Sequence, residues 1–452
     1  MGENDHNSQQ HNLAVVIGLG KTGLSCVRFL THRGYEVVVM DSRKRPPELE
    51  ALRRELPDLP LLLGRFDADL IDRSELLVTS PGVALTEPVL ADALERGKQV
   101  VGDIELFTRY AKAPVVAITG SNGKSTVTTL LGEMAQYAGR CVRIGGNIGT
   151  PALALIKDDE PDLYILELSS FQLETTYSLN PAVSVVLNVS QDHLDRYDDM
   201  AEYAEVKASI YRGDGVCVVN LDDPLVAGMD QHAKRMSVGF TLNAPADSSQ
   251  FGLLKYQGEE WLACGDESLL PVSQLRLAGR HNVANALAAL ALGSAAGLPM
   301  AAMVEVLPAF IGLAHRCQWV AQAHGVTWYN DSKATNVGAA VAAIEGMSGP
   351  VVLIAGGQAK GQDFSALKRT VEAHCRAVVL MGEDANDIAD VLAGCVAVEH
   401  ADDMADAVAK AKAMAEVGDS VLLSPACASF DMFDGFEARG REFAAAVRRV
   451  SP

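Results

Sequence analysis

The most constraining feature of this sequence is a glycine-rich loop between a predicted strand and a predicted helix. The letters TGSNGKST at 119–126 follow an apolar, β-branched run at 114–118 and precede a helical pattern at 127–138. Such a loop directs backbone N–H groups and a helix dipole at an anion. Lys124 would reach the β- and γ-phosphates of a nucleotide, and the Ser-Thr pair after it would ligate Mg²⁺. The alternative is a strand–helix turn that happens to contain a lysine.

The spacing of this loop departs from the common phosphate-loop pattern. That pattern has four residues between its glycines, whereas only Ser121 and Asn122 separate Gly120 from Gly123. The flanking strand and helix nevertheless favour phosphate binding.

A second glycine loop lies near the start of the chain. The pattern G-x-G-x-x-G at 18–23 follows a predicted strand at 14–17 and opens a helix, and Asp41 ends the next strand. This arrangement binds a diphosphate at the helix N-terminus, and the acidic residue binds a ribose hydroxyl. It suits NAD, but it equally suits a substrate that carries a nucleotide diphosphate. A simple tight turn is the remaining alternative.

Composition limits the class of protein. A chain of 452 residues with 48% hydrophobic residues is long enough for about three domains. A net charge of −20 argues against nucleic acid as a partner. Eight cysteines without a C-x-x-C pair indicate buried thiols in a reducing cytoplasm. We expect no signal peptide after a polar start, and no membrane span because the apolar stretch at 286–304 contains Pro299.

Strand and helix patterns alternate along the whole chain, which predicts an α/β protein with parallel sheets throughout. We expect a Rossmann-like N-terminal domain at 1–102, a central phosphate-loop domain at 103–312 and a Rossmann-like C-terminal domain at 313–452. The predicted strands after the first two lie at 76–79, 114–118, 163–168, 183–189, 326–329, 351–355, 377–381 and 420–423.

Polar residues follow the central strands, where the ends of parallel strands line a ligand crevice. Glu167 would reach the Mg²⁺ of a nucleotide, and His193, in a polar run after the next strand, is expected to be a ligand. Lys207, on the following helix, would be interpreted from spacing alone as a surface lysine. Asn282 and Asn285 share a helix face, where they could contact a base; alternatively, Asn282 caps the helix.

The last part of the chain has three polar runs, each after a predicted strand, at 329–336, 356–364 and 424–429. Lys360 in the second run would counter the charge of a small anionic ligand. Each run alone could be turn chemistry, but the three together predict a site.

These motifs together resemble the Mur ligases, which add amino acids to the muramyl peptide precursor of peptidoglycan. The resemblance covers residues 13–448. The matching segments are TGSNGKST at 119–126, ELSS at 167–170, the run at 188–193, HNVAN at 281–285, HR at 315–316 and DSKAT at 331–335.

Within the family, the chain is most similar to the member that adds D-glutamate, through GLGKTG at 18–23, LSSFQL at 168–173 and LSPACAS at 423–429. The sequence has no Asp-Asn-Pro-Arg run, the mark of diaminopimelate-adding ligases. The resemblance implies that ATP converts UDP-N-acetylmuramoyl-L-alanine to an acyl phosphate, which D-glutamate attacks. It also implies two Mg²⁺ ions and a cytoplasmic enzyme, which we expect to be a monomer.

The resemblance also implies roles for individual residues. The catalytic residues would be Lys124, Glu167, His193 and Lys207, and the metal ligands Ser125, Glu167, His193 and Lys207 as a carbamate. The ATP-binding residues would be Gly120, Ser121, Asn122, Gly123, Lys124, Ser125, Thr126, Asn282, Asn285, His315, Arg316, Asp331 and Lys333. The UDP-linked substrate would bind Thr22, Asp41, Ser42, Arg43, Gly82, Asn147 and Ser169. D-Glutamate would bind Thr335, Lys360, Ser429 and Phe436.

Three alternatives stay open. A sister Mur ligase would add another amino acid. An NAD-dependent oxidoreductase with an accessory nucleotide site would bind its cofactor at 18–23. A non-catalytic nucleotide switch would leave the polar strand ends of all three blocks unexplained.

Overall fold

The computed structural model describes residues 12–190, 196–229, 235–277, 279–347, 349–359 and 361–450. They fall into two compact units. The first unit lies within Met1–Phe240 and Ala291–Pro299, and the second within Thr241–Leu290 and Met300–Pro452. In the ranges described, a helix with the length and apolar character needed to cross a membrane is not found.

The first sheet consists of short apolar strands, and its three central strands are buried except at their first residues. Its strands are β1 (Leu13–Ile17), β2 (Glu36–Asp41), β3 (Leu61–Leu63), β4 (Leu76–Thr79) and β5 (Val100–Val101). The helices of this region are α1 (Lys21–His32), α2 (Leu49–Glu55), α3 (Ala68–Arg73), α4 (Pro88–Glu95) and α5 (Asp103–Tyr110). All strands run parallel in the order β3-β2-β1-β4-β5. The order reverses between β1 and β4, and a ligand crevice forms at such a point.

A second parallel sheet carries the phosphate loop. Its strands in the first unit are β6 (Val115–Thr119), β7 (Val142–Gly146), β8 (Leu163–Glu167), β9 (Val183–Val186), β10 (Val216–Asn220) and β11 (Ser237–Phe240). The helices are α6 (Lys124–Tyr137), α7 (Ser170–Leu173), α8 (Met200–Ala208) and α9 (Pro224–Met229), with 3₁₀ turns at Ala152–Leu155 and Ser209–Tyr211. The order is β11-β10-β9-β6-β8-β7, so β8 and β9 flank the strand before the loop.

The second unit contains a three-stranded antiparallel segment and a six-stranded sheet. The antiparallel strands are β12 (Gln250–Tyr256), β13 (Glu259–Cys264) and β14 (Glu267–Pro271). The sheet strands are β15 (Gln318–Ala323), β16 (Val326–Asn330), β17 (Val351–Ala355), β18 (Cys375–Leu380), β19 (Ala397–His400) and β20 (Ser420–Leu423), in the order β15-β16-β20-β17-β18-β19. The helices of this half of the chain are α10 (Arg280–Ala295), α11 (Met300–Val306), α12 (Val337–Glu345), α13 (Ser365–His374), α14 (Ala385–Val391), α15 (Met404–Met414) and α16 (Phe436–Val450), with a 3₁₀ turn at Val272–Gln274.

The expectation of parallel sheets throughout is wrong in two places. The segment β12–β14 is antiparallel, and β15 runs antiparallel to β16. Two-residue loops explain both, because such loops join antiparallel neighbours and are too short for a parallel crossover. Gln257 and Gly258 have φ of 52° and 85°, and His324 and Gly325 have 53° and 76°. Positive φ at both positions is typical of tight hairpins.

Candidate active site

The phosphate loop is shaped by its two glycines. Gly120 (φ 152°) and Gly123 (φ 84°) adopt backbone conformations that favour glycine. A Cβ on Gly120 would lie 2.9 Å from Cβ of Leu187, just after β9. From the same side, Asn188 accepts a hydrogen bond at Oδ1 from Asn122 N (2.8 Å) and donates from Nδ2 to Asn122 O (3.1 Å). The neighbouring strand end therefore braces this short loop.

Two lysines meet at one carbonyl oxygen of the loop. Lys124 Nζ donates to the oxygens of Gly120 (2.7 Å) and Ser121 (2.9 Å). Lys207 Nζ donates to the same Gly120 oxygen (3.0 Å) and lies 4.5 Å from the centre of the Tyr203 ring. Lys207 is 1% exposed, so its interpretation as a surface lysine is wrong. No local pattern indicates this burial, which arises because α8 packs beside the loop.

Glu167 ends β8 with its side chain 2% exposed. Its Oε1 accepts a hydrogen bond from Asn147 Nδ2 (2.8 Å), and its backbone oxygen accepts one from Asn147 N (2.8 Å). Gly146 permits this approach, since a Cβ there would lie 2.4 Å from the Glu167 oxygen. Within the described residues, buried Oε2 of Glu167 has no hydrogen-bond partner. Buried polar atoms normally have one, and a bound cation would satisfy this oxygen.

Two of the expected site residues, His193 and Lys360, lie outside the described residues. Ser125 and Thr126 are partly exposed in the first turn of α6, where side chains adjoin the loop. Across the described ranges, no group of three or more His, Cys, Asp or Glu side chains could hold a metal ion. A metal site beside the loop would therefore depend on the acidic side chain of Glu167.

The first glycine loop is tightly packed against the strand end at β4. A Cβ on Gly23 would lie 1.9 Å from the Gly18 oxygen, which requires glycine at that position. Ser80 Oγ donates to the same Gly18 oxygen (2.7 Å). This packing sets the N-terminus of α1 at the edge of the sheet, where it favours an anion.

Asp41 holds Arg43 at this edge. Its two carboxylate oxygens accept hydrogen bonds from Arg43 Nε (2.8 Å), Arg43 Nη2 (2.7 Å) and Leu19 N (2.7 Å). Burial raises the pKa of Asp41, but the hydrogen bonds from Arg43 and Leu19 outweigh burial and keep its pKa below the usual value. The carboxylate thus stays ionised and orients the guanidinium.

A cavity of about 580 Å³ opens beside these groups. Its walls include six of the seven residues expected to bind the UDP-linked substrate, which are Thr22, Asp41, Ser42, Arg43, Gly82 and Asn147. Ser169, the seventh, instead caps α7, where its Oγ accepts from Gln172 N (3.2 Å). Phe66 and Gln172 also line the cavity without being expected. Gln172 belongs to the LSSFQL segment, whereas no motif marks Phe66.

In the second unit, Asn285 Nδ2 donates to Asn282 Oδ1 (3.0 Å), and both side chains are buried. Because α10 begins at Arg280, Asn282 lies inside the first helical turn and not at the cap position. The two amides therefore form a pair on one helix face. The other residues of this unit that are expected to bind ATP lie near the end of β16 and the start of α16; they are His315, Arg316, Asp331 and Lys333.

Asp331 is a buried carboxylate with neutral partners. Its Oδ2 accepts from Ser424 Oγ (2.8 Å) and its Oδ1 from Cys317 N (3.1 Å). Burial raises the pKa of Asp331 to about 6, although these hydrogen bonds and Arg316 act in the opposite direction. Asp331 thus joins the loops that follow β16 and β20.

His315 has a positive φ of 64° and is held by the start of α16. Its Nδ1 lies 3.2 Å from Asn330 Nδ2, which also donates to the Gly440 oxygen (2.9 Å). The His315 ring lies edge-on to Phe436 with centres 6.0 Å apart. Burial keeps the pKa of His315 below its ordinary value.

The described residues expected to hold D-glutamate lie on the same side of this unit. Ser429 is 2% exposed, and its oxygen accepts from Phe433 N (2.8 Å). The Phe436 oxygen accepts from Ser332 Oγ (2.8 Å), and the Thr335 oxygen accepts from Gln362 Nε2 (3.4 Å). The phosphate loop belongs to the first unit, whereas these groups belong to the second.

Sequence models of three protein families match this chain. "Mur ligase MurD-like, N-terminal domain" matches residues 12–102, "Mur ligase middle domain" matches 118–293, and "Mur ligase, glutamate ligase domain" matches 315–427.

Named relatives match nearly the whole length. The chain is 58% identical over 439 residues to UDP-N-acetylmuramoylalanine–D-glutamate ligase of Nitrosococcus oceani, covering 97% of this chain and 96% of the relative. It is 53% identical over 437 residues to the protein of that name from Pseudomonas putida, covering 96% of each. The solved structure of UDP-N-acetylmuramate-alanine ligase MurC from Thermotoga maritima shares the fold, with a TM-score of 0.57 at 18% identity over 97% of this chain and 99% of that one. The chain belongs to the Mur ligase family.

Proposed function

We propose that this chain is an ATP-dependent ligase that joins D-glutamate to UDP-N-acetylmuramoyl-L-alanine, forming ADP and phosphate, in cytoplasmic peptidoglycan precursor synthesis. The observation that carries this proposal is Asn147, which lines the cavity and donates to Glu167 beside the phosphate loop. One residue thus joins a cavity suited to a nucleotide-linked substrate to the place where ATP would be cleaved. The relatives at 58% and 53% identity are named UDP-N-acetylmuramoylalanine–D-glutamate ligases, after the two substrates that this reaction joins.

The cavity would present the UDP-linked substrate. The N-terminus of α1 and the guanidinium of Arg43 supply positive potential for a diphosphate. Lys21 also lines the cavity and adds a cation to its wall. Asn147 and Ser169 would lie nearer the muramyl end, which carries the reacting carboxylate.

ATP would bind the loop from Gly120 to Thr126, with Lys124 at the β- and γ-phosphates. In the second unit, Asn282 and Asn285 would contact the base, and His315, Arg316, Asp331 and Lys333 would complete the nucleotide site. The buried amide pair and the cluster at the end of β16 support this division.

The residues present fit Mg²⁺. Glu167 Oε2 is buried and lacks a hydrogen-bond partner among the described residues, and carboxylate and hydroxyl oxygens are ligands that Mg²⁺ prefers. Ser125, Glu167, His193 and a carbamate on Lys207 would hold two ions. When bound, Mg²⁺ would shield the negative charges that must approach one another.

A carbamate on Lys207 would resolve an electrostatic conflict at the loop. The ammonium groups of Lys124 and Lys207 both lie within 3.0 Å of the Gly120 oxygen, and a second ammonium would repel a metal ion. A carbamate forms from the neutral amine of a lysine. Attack of this amine on CO₂, with loss of a proton, converts the cation into an anion that can bind metal.

The reaction then has two steps. An oxygen of the alanyl carboxylate attacks the γ-phosphorus of ATP, so that ADP leaves and an acyl phosphate forms; Lys124 stabilises the charge that develops on the phosphoryl oxygens. The amine of D-glutamate attacks the acyl carbon and loses a proton, and phosphate leaves from the tetrahedral intermediate. Thr335, Lys360, Ser429 and Phe436 would orient D-glutamate for this attack.

The direct test supplies ATP, Mg²⁺ and UDP-N-acetylmuramoyl-L-alanine, and measures phosphate release with D-glutamate, L-glutamate, L-alanine or diaminopimelate. We expect release with D-glutamate alone. Equal release with all four amino acids, or with none, would refute the proposal. We further propose domain boundaries after residues 102 and 312. We also propose a monomeric enzyme, and sedimentation of the full chain would test this oligomeric state.

A further inference from the structure

A buried arginine binds three loops of the second unit at once. Arg439 lies in α16 and is 2% exposed. Its Nε donates to Ser332 Oγ (3.0 Å), and its Nη2 donates to the oxygens of Ser332 (2.9 Å) and Cys427 (3.1 Å). Its Nη1 donates to the oxygens of Ala428 (3.4 Å) and Gly356 (3.5 Å).

The acceptors follow three neighbouring strands. Ser332 follows β16, Gly356 follows β17 and Cys427 follows β20, and the sheet order is β16-β20-β17. These are the three loops in which the D-glutamate subsite is proposed, so the inference rests on the proposed function. A guanidinium presents five N–H donors in one plane, which suits it to join three backbone segments.

The three loops approach one another closely, and their spacing depends on the hydrogen bonds from Arg439. A Cβ on Gly357 (φ 128°) would lie 2.2 Å from the Ala428 oxygen and 3.2 Å from Arg439 Nη1. Gln358 and Ala428 exchange two backbone hydrogen bonds of 2.9 Å. Ser332 Oγ, which accepts from Arg439, also donates to the Phe436 oxygen (2.8 Å).

The charge of Arg439 has no anionic partner at ion-pair distance in the ranges that the structure describes. Burial lowers its pKa to about 10, although Asp431 acts in the opposite direction, and the side chain stays protonated at neutral pH. Five neutral oxygens therefore solvate a buried positive charge.

We propose that Arg439 is a positioning residue for the amino-acid subsite. It sets the spacing of the three loops. It acts through the loops, because its guanidinium directs five hydrogen bonds to oxygens of these loops.

The test compares Arg439→Lys with Arg376→Lys in the full-length enzyme. Arg376 lies at the opposite end of the same sheet, in β18, where its Nε and Nη1 bind Asp419 (2.5 Å) and Glu416 (3.1 Å). Lysine keeps the charge in both variants but lacks the planar set of donors. The KM values for D-glutamate, ATP and UDP-N-acetylmuramoyl-L-alanine are measured together with the thermal midpoint.

We expect Arg439→Lys to raise KM for D-glutamate roughly tenfold, since two or more hydrogen bonds from a charged donor are lost. The other two KM values should change by less than about twofold, and Arg376→Lys should leave all three within that range. A joint rise of all three KM values in Arg439→Lys, or an unchanged KM for D-glutamate, would overturn the inference.

A second variant covers the case in which Arg439→Lys does not fold. Ser332→Ala removes the acceptor of Arg439 Nε and the link to Phe436 while it keeps the guanidinium. It should raise KM for D-glutamate alone, and an unchanged KM there would also overturn the inference. A wild-type enzyme without D-glutamate-dependent phosphate release would instead refute the proposed function.

Discussion

At the residue scale, the proposed chemistry of this chain depends on ionisable groups that are buried. Lys207, Glu167 and Asp331 are 1%, 2% and 7% exposed. Burial of a charge costs free energy unless a partner or a change of protonation compensates. The three groups meet this cost in different ways: a carbonyl and an aromatic ring face Lys207, an asparagine amide binds Glu167, and neutral donors bind Asp331.

Lys207→Ala should abolish most of the activity, because it removes the proposed carbamate. Short carboxylic acids such as acetate should restore part of it by occupying the space of the carbamate. Lys207→Arg is the matched control, since it keeps a cation that cannot form a carbamate and should be neither active nor rescued. Steady-state phosphate release with and without acetate measures both, and wild-type turnover in Lys207→Ala would exclude the carbamate.

Asp331→Asn should stabilise the protein at neutral pH. The pKa of Asp331 is raised to about 6 in the folded state, so folding favours its protonated form and the stability it contributes is lost as the pH rises towards and above 6. The stability of Asp331→Asn relative to wild type, measured as the free energy of unfolding, should therefore be about 2 kcal/mol greater at pH 7.5 than at pH 4.5. Urea unfolding at both pH values measures this difference.

The control for this experiment is Asp419→Asn. Burial raises the pKa of Asp419, but Arg376 outweighs burial and keeps the pKa below its usual value. Asp419 thus contributes stability that is present above about pH 4 and is lost as the pH falls further. Its replacement should destabilise the protein at pH 4.5 and pH 7.5 alike. If the stability difference between Asp331→Asn and wild type does not grow with pH, the raised pKa of Asp331 is contradicted.

At the element scale, the start of α16 organises the second unit's candidate site. Phe436, Arg439 and Gly440 lie at positions i, i+3 and i+4, which share one helix face. This face contacts Ser332, the strand-end loops and Asn330. One helical turn therefore reaches the regions proposed for ATP and for D-glutamate.

Gly440→Ala should disturb His315, because a Cβ there would lie 2.0 Å from His315 Nδ1. We expect a loss of about 1–3 kcal/mol in the free energy of unfolding and a higher KM for ATP. Gly338→Ala is the control, since the nearest atom to its Cβ, on Asn336, lies at 3.6 Å. It should stabilise α12 by roughly 0.5–1 kcal/mol. Denaturant unfolding and the KM for ATP are measured for both variants. Equal stability of the two variants would refute the predicted clash with His315.

Local patterns predict most of the central parallel strands and both glycine loops, because apolar runs and glycine spacing depend on neighbouring residues. The parallel strands β3, β5, β7, β10, β11 and β19 are missed. The hairpins at Gln257-Gly258 and His324-Gly325 are missed, since these dipeptides are weaker turn signals than Asn-Gly or Asp-Gly. Burial of Lys207 and the role of Arg439 are missed for another reason. Both result from packing between segments distant in sequence, for which one sequence offers no periodic signal.

At the scale of the whole molecule, the first unit contains both glycine loops. The loop at 18–23 would present a UDP-linked carboxylate, and the loop at 120–126 would activate it. D-Glutamate would bind in the second unit, yet its amine must reach the activated carboxylate. We therefore expect domain motion during turnover. Addition of UDP-N-acetylmuramoyl-L-alanine with a non-hydrolysable ATP analogue should lower the radius of gyration in small-angle scattering, and an unchanged curve would contradict this expectation.

The central claim is that the carboxylate held beside Asn147 becomes an acyl phosphate that D-glutamate attacks. The most direct measurement uses UDP-N-acetylmuramoyl-L-alanine with ¹⁸O in both oxygens of the alanyl carboxylate. Mass spectrometry after turnover with ATP and D-glutamate should find one ¹⁸O in the released phosphate and one in the amide product. Phosphate without ¹⁸O, or labelled phosphate that forms equally well with L-glutamate, would contradict the account.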